Sequence, residues 1–129
     1  MDIIRKYETL VRQKRWSEAI PVIEEIVQRE PQIATSWFNL GVCMDELGRH
    51  AEAADKFLRA YELDPEDFGA QYRAFRSLNL AGQYDRFLSF AEQECQAIPD
   101  LIDNLLQDEQ FAVLFERPEF RMLKEAQGR

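Results

Sequence analysis

The chain is poor in the residues that build metal and redox sites. Its 129 residues include two cysteines, Cys43 and Cys95, and a single histidine, His50. The cysteines lie far apart in the sequence, and no Cys-x-x-Cys pair or Cys/His cluster is present, so a zinc site is not predicted. We expect both cysteines to be buried thiols and His50 to be exposed or to cap a helix. No metal or other cofactor is expected.

Long apolar runs and an excess of basic residues are also missing. The longest apolar runs are only a few residues, too short for a membrane span. Residues 1–10 carry four charged side chains and lack the apolar core of a secretory signal, so a cytoplasmic location is expected and no membrane partner. The formal net charge of −8 disfavours nucleic acid as a partner, because phosphate binding requires clustered lysine and arginine.

Motifs typical of catalysis are absent as well. The chain has no recognisable nucleophile with a base and no phosphate-binding loop. Two acid pairs, Glu24–Glu25 and Asp45–Glu46, are adjacent in sequence. Adjacent side chains on a helix diverge by about 100°, whereas general acid–base catalysis requires convergent groups. We therefore predict no catalytic residues, and an enzyme is the least favoured hypothesis.

What the chain does contain is a regular spacing of turn-forming residues. Pro31, Pro65 and Pro99 follow one another at intervals of 34 residues. The same offset relates Lys14, Gly48 and Gly82, which share one position of the period. Such a period indicates an array of repeats, each of which buries its apolar face only against its neighbours. We predict one domain, 1–129, with repeats at about 1–33, 34–67 and 68–101 and a C-terminal cap at 102–129.

The central repeat carries a specific set of residues. They are Trp37, Leu40, Gly41, Ala53, Phe57, Ala60 and Pro65. This set resembles the signature of the tetratricopeptide repeat, W-x2-L-G-x2-Y followed by A-x3-F and P, with Met44 in place of the usual aromatic residue. The resemblance implies a helix, a tight turn and a second helix in each repeat. The implied fold class is all-α, a right-handed α-solenoid of antiparallel helix pairs with C-terminal capping helices.

The signature residues have physical roles that require no ligand. Gly41 and Ala53 are small where two helices must approach closely. Gly48 falls between the helices, where a left-handed helix stop is required. Pro65 ends the second helix, and Trp37 is expected to supply apolar bulk between the helices.

The outer repeats depart from this signature. The first has Lys6 and Tyr7 where leucine and glycine are usual, and the third exchanges the small and large positions at Phe87 and Ala91. Apolar spacing nevertheless predicts helices at about 2–13, 16–29, 67–81 and 84–97. We expect the third repeat to be repacked by compensating changes rather than to lose its helix pair.

A different pattern, D-x2-F-x2-L-x3-P-x-F-x2-L, follows Pro99. Its residues are Asp108, Phe111, Leu114, Pro118, Phe120 and Leu123. It resembles a tail found after tetratricopeptide arrays in some bacterial proteins. Pro118 can begin a helix that continues to about residue 126. We expect the tail to cap the array, with a docking peptide as the alternative.

The family resemblance also implies where a partner would bind. In such arrays the first helix of each repeat lines a concave groove. The implied partner-binding residues are Phe38, Asn39, Val42, Asp45, Tyr72, Arg73, Arg76 and Asn79, with Ile4, Glu8 and Arg12 from the first repeat. Aromatic and arginine residues are typical anchors of protein interfaces, and Arg73 and Arg76, one turn apart, could grip one carboxylate.

One subclass of the family binds acidic C-terminal tails through a five-residue carboxylate clamp. Asn39 and Arg73 match two clamp positions, whereas Ile4, Glu8 and Gly69 occupy the other three. Glu8 has the wrong charge for an acidic ligand, so the clamp is disfavoured.

The leading hypothesis is therefore a non-catalytic scaffold or adaptor that binds a peptide or partner helix in the groove. The alternative is self-assembly into a homo-oligomer through exposed apolar surface. Residues 34–67 contain eight acids and three bases, which favours a solvated helix face over a site for a basic partner.

Overall fold

The computed structural model describes residues 2–128, and side chains within residues 2–126. All regular secondary structure in this range is helical. The helices are α1 (Ile3–Arg12), α2 (Trp16–Arg29), α3 (Ala34–Glu46), α4 (His50–Leu63), α5 (Phe68–Leu80), α6 (Tyr84–Cys95), α7 (Leu101–Leu106), α8 (Glu109–Ala112) and α9 (Pro118–Gly128), with a 3₁₀ helix at Val113–Glu116. The bounds of α2 equal the predicted 16–29, and those of α1, α5 and α6 lie within two residues of the prediction.

The chain divides into two compact units, Met1–Gly82 and Gln83–Arg129. The first unit contains α1 to α5, and the second contains α6 to α9. In the first unit each helix packs on the next along the chain. This arrangement confirms the predicted all-α fold of antiparallel helix pairs, the architecture of an α-solenoid.

The three equivalent turn positions share one backbone conformation. Lys14, Gly48 and Gly82 have φ angles of 59°, 77° and 70°, all in the left-handed region. After α1, the backbone N–H of Arg15 donates to the carbonyl of Leu10 at 2.8 Å, which closes the last turn of the helix. The period in the sequence therefore marks a repeated helix stop, as predicted.

The contact between α3 and α4 depends on a missing side chain. A Cβ atom added at Gly41 would lie 2.8 Å from the ring of Phe57, closer than two carbons can approach. Ala53 and Ala60, on α4, are fully buried. The small residues of the signature thus stand where helix surfaces meet, as expected.

Trp37 differs from its expected role as core bulk. Its indole is half-buried, and its Nε1–H donates to the carbonyl oxygen of Pro31 at 2.8 Å. The ammonium of Lys56 and the guanidinium of Arg59 lie 5.7 and 5.9 Å from the ring centroid. Trp37 therefore fastens the α2–α3 turn and contacts cations of α4, because an indole has both a polar N–H and a cation-attracting face.

The second unit is built around an aromatic cluster. The ring of Phe87, on α6, lies 5.5 Å from the ring of Phe111 and 5.6 Å from that of Phe120. Phe115 contacts Phe120 edge-to-face at 5.4 Å. The C-terminal tail therefore packs on α6, and Phe87 is large because tail residues surround it. Asp108 begins α8 by accepting a hydrogen bond from the backbone N–H of Gln110.

Candidate functional site

Side-chain contacts place α1, α3 and α5 beside one another in the first unit. The Tyr7 hydroxyl, on α1, lies 3.9 Å from the Cys43 sulfur, on α3. The Arg73 guanidinium, on α5, lies 6.0 Å from the centroid of the Phe38 ring, on α3. The first helices of the three repeats, which were predicted to line a groove, are therefore neighbours. We call the face that they share the groove face.

Phe38 is the aromatic centre of this face. Its ring packs edge-to-face on Phe57 with centroids 5.2 Å apart, and Arg73 lies over it. Both Phe38 and Arg73 are half-buried. Because the ring quadrupole attracts a cation, the guanidinium is held along the protein surface rather than extended into solvent.

Asp45 is not available to a partner. Its carboxylate is 5% exposed and accepts hydrogen bonds from the Ser77 hydroxyl at 2.8 and 3.0 Å. His50 Nδ1 lies 2.8 Å from Oδ1, and Arg76 Nη1 lies 3.7 Å from Oδ2. This carboxylate therefore ties α3 to α4 and α5. His50 was expected to be exposed or to cap a helix. Its ring is instead half-buried and lies against the Asp45 carboxylate.

The other predicted groove residues remain at the surface to different degrees. Tyr72 is 43% exposed, and Ile4 is 52% exposed. Glu8 and Arg12 are exposed, whereas Asn39, Val42, Arg76 and Asn79 are half-buried. Phe68, one turn before Tyr72 on α5, is 57% exposed and was not predicted as a site residue. Phe68 lies four residues before Tyr72, so the two side chains share a helix face, and this spacing could have indicated Phe68 as a site residue.

Ser77 is the interior residue that sequence reasoning missed. It is fully buried and lies between the buried Ala74 and Leu78 on α5. A polar side chain on an otherwise apolar helix face requires a hydrogen-bond partner, because burial without one is costly. That requirement could have indicated a buried acceptor, although not which one.

The two outer helices of the groove face are basic in a chain of net charge −8. Helix α5 contains Arg73 and Arg76 and no acid. Helix α1 contains three bases, Arg5, Lys6 and Arg12, against Glu8. The positive charge is therefore concentrated on α1 and α5, on either side of the aromatic centre.

Tyr7 and Cys43, which join α1 to α3, are both protonated at neutral pH. Burial is the main cause that raises the pKa of the Tyr7 hydroxyl, and the adjacent Cys43 adds to it. Burial likewise raises the pKa of the Cys43 thiol. Both groups are therefore protonated at neutral pH, and Cys43 and Cys95 are buried free thiols as predicted.

The described part of the chain contains neither a cluster of metal ligands nor a membrane-spanning helix. No group of three or more His, Cys, Asp or Glu side chains there could hold a metal ion. No described helix is long and apolar enough to cross a membrane.

Comparison with known proteins identifies the family. The tetratricopeptide repeat model matches residues 8–68. Residues 8–68, just under half of the chain, are therefore tetratricopeptide repeat sequence. The match covers most of the first predicted repeat and all of the second, including the turns at Lys14 and Gly48. Tetratricopeptide repeats generally mediate protein–protein interactions and are typically non-catalytic. The comparison with curated proteins found no match.

Proposed function

We propose that this protein is a non-catalytic scaffold or adaptor that holds a peptide or helix of another protein on its groove face. The observation that carries the proposal is the Phe38–Arg73 contact. It shows an aromatic ring and an arginine from two neighbouring helices side by side on one surface. Aromatic and arginine side chains supply most of the binding energy in many protein interfaces.

The groove face also offers apolar area to a partner. Ile4 on α1 and Tyr72 on α5 are about half exposed, and Phe38 and Val42 on the neighbouring α3 are half-buried. Covering apolar surface of this kind drives protein association. A partner segment with an apolar side chain facing Phe38 fits this arrangement.

The arginines are partly positioned before any partner arrives. Arg73 lies over Phe38, and Arg76 lies 3.7 Å from the buried Asp45 carboxylate with 37% of its side chain exposed. A side chain that is already oriented loses less conformational entropy when it binds. In this proposal Asp45 helps to position Arg76 and does not itself touch the partner.

The test is capture from the source lysate with wild type and a groove variant. The variant combines Asn39→Ala, Tyr72→Ala, Arg73→Glu and Arg76→Glu, and circular dichroism must first show that it is as helical as wild type. We expect at least one protein to be retained by wild type and lost by the variant. That protein is then identified by mass spectrometry and its binding segment is mapped with synthetic peptides.

A matched control separates the groove from net charge. Arg29→Glu/Lys124→Glu makes the same change in net charge at two exposed positions outside the groove helices. It should retain the partner as wild type does. Equal retention by the groove variant, or loss from both variants, would overturn the proposal.

A further inference from the structure

Two open clefts lie outside the groove face, one in each unit. The N-terminal cleft, between α1 and α2, has a volume of about 770 Å³ and is lined by Leu10, Pro21 and Val22 with Lys6 and Arg15. The C-terminal cleft, between α6 and α9, has a volume of about 520 Å³ and is lined by Leu88, Leu123, Met122, Glu92 and Glu119. Both combine an apolar floor with charged residues.

Met122 is the most exposed large apolar side chain in the described part of the chain. It is 71% exposed and lies on α9 at the C-terminal cleft. The rings that form the core of the second unit, such as Phe87 and Phe120, are fully buried, so Met122 lies outside that core. Methionine is flexible and polarizable, and it suits an apolar partner surface of irregular shape.

The charged residues of the two clefts have opposite sign. Glu92 and Glu119 line the C-terminal cleft, and none of the described residues that line it is basic, although Glu119 is paired with Arg117 at 3.0 Å. Lys6 and Arg15 line the N-terminal cleft together with Glu18, which is already paired with Arg15. Arg15 is held in position by Glu18 and by Gln13. With Arg15 paired to Glu18 and Glu119 paired to Arg117, the opposite charges that remain are those of the exposed Lys6 and Glu92.

We propose that the C-terminal cleft of one copy of this chain docks on the N-terminal cleft of a second copy. Met122 enters the apolar floor formed by Leu10, Pro21 and Val22. Lys6 and Arg15 of one copy then face Glu92 and Glu119 of the other. The proposal uses none of the partner-binding residues that are proposed for the groove face.

Electrostatics selects this pairing over a symmetric one. Two N-terminal clefts facing each other would bring Lys6 and Arg15 of both copies together. Two C-terminal clefts would do the same with Glu92 and Glu119. Like charges across an interface oppose association, whereas the pairing of unlike clefts joins opposite charges. A contact between unlike surfaces is heterologous and can repeat from copy to copy.

The test uses two charge-reversal variants and sedimentation velocity. Lys6→Glu/Arg15→Glu makes the N-terminal cleft acidic, and Glu92→Lys/Glu119→Lys makes the C-terminal cleft basic. Wild type should show an average mass that increases with concentration and decreases with added salt. Each variant alone should dissociate at least tenfold more readily. An equimolar mixture should recover association, because each variant supplies the cleft that the other repels.

A second variant guards against misfolding of the first two. Met122→Asp changes an exposed side chain and leaves all four charged residues in place, and it should also weaken association at least tenfold. The exposed Arg121→Ala serves as its control on the same helix and should associate as wild type does. The proposal is overturned if wild type stays monomeric up to about millimolar concentration, a range in which weak specific contacts are detectable. It is also overturned if the mixed variants remain monomeric.

Discussion

Lys14 shows that the position in the repeat, and not the residue, selects the backbone conformation. Its φ of 59° matches the values at Gly48 and Gly82. A side chain in this region brings Cβ close to the following carbonyl oxygen. The Schellman hydrogen bonds of Lys14 and Arg15 to Val11 and Leu10 hold the turn despite this strain.

We therefore expect Lys14→Gly to stabilise the protein by about 0.5–1 kcal/mol, since relief of the Cβ strain exceeds the entropic cost of glycine. Gln13→Gly, one residue earlier with a φ of −85°, should instead destabilise it by about 0.5–1 kcal/mol. Urea denaturation of both variants measures the difference. A loss of stability in Lys14→Gly would show that no strain is stored there.

Asp45 should be the most sensitive acidic residue of the first unit. Asp45→Ala leaves the buried Ser77 hydroxyl without its acceptor and removes the partner of His50. We expect a loss of about 2–4 kcal/mol in the free energy of unfolding. Glu46→Ala, at the adjacent exposed position, should change stability by less than about 0.5 kcal/mol. Similar effects of the two substitutions would contradict the structural role of Asp45.

At the level of helices, the close approach of α3 to α4 requires a glycine at position 41, and the effect of replacing it can be measured. Alanine is ordinarily favoured over glycine in a helix by about 1 kcal/mol. At Gly41, however, the added methyl group would meet the buried Phe57 ring. We expect Gly41→Ala to destabilise the protein by about 1–3 kcal/mol through overpacking.

A double-mutant cycle checks the cause. Phe57→Leu replaces the ring with a smaller side chain and should itself destabilise the protein. The combination with Gly41→Ala should cost less than the sum of the two single substitutions, because the methyl group then has space. Strict additivity in thermal or urea unfolding would show that the ring does not limit the approach.

The helices were predictable because their signals are local. Turn residues recur with a fixed period, and apolar residues follow helical spacing, so the ends of α2 were predicted to the residue. The roles of Phe87 and Trp37 were not predictable in this way. Phe87 depends on tail residues such as Phe111 and Phe120, which are distant in sequence.

For the whole molecule, one half-buried tyrosine and two buried cysteines should make stability depend on alkaline pH. Burial raises the pKa of the Tyr7 hydroxyl and of the Cys43 and Cys95 thiols. Unfolding returns them to ordinary values of about 8.5 for cysteine and about 10 for tyrosine. Above these values the unfolded chain binds fewer protons than the folded one. Stability should be complete below about pH 8 and decrease as the pH rises further.

The urea midpoint measured from pH 7 to pH 10.5 tests this dependence. A Tyr7→Phe/Cys43→Ala variant removes two of the three groups, so its midpoint should decrease less over the same range. An equally steep decrease in variant and wild type would mean that other groups cause it.

The candidate site was only partly predictable. Repeat phase placed Phe38 and Arg73 on one face, and they are in contact. The position within the repeat also predicted Asp45 as a groove residue, because that position indicates only which side of a helix a residue occupies. The position within the repeat does not indicate how closely the next helix approaches. The approach of α5 buries Asp45 beneath Ser77.

Local signals in this chain were sufficient for its helices, its left-handed turns and its family. Each depends on residues close in sequence, whose spacing is set by helix geometry and by the allowed values of φ. The burial of Asp45, the setting of Trp37 and the aromatic cluster around Phe87 required the folded chain. They depend on distances between helices, which arise when side chains remote in sequence pack together.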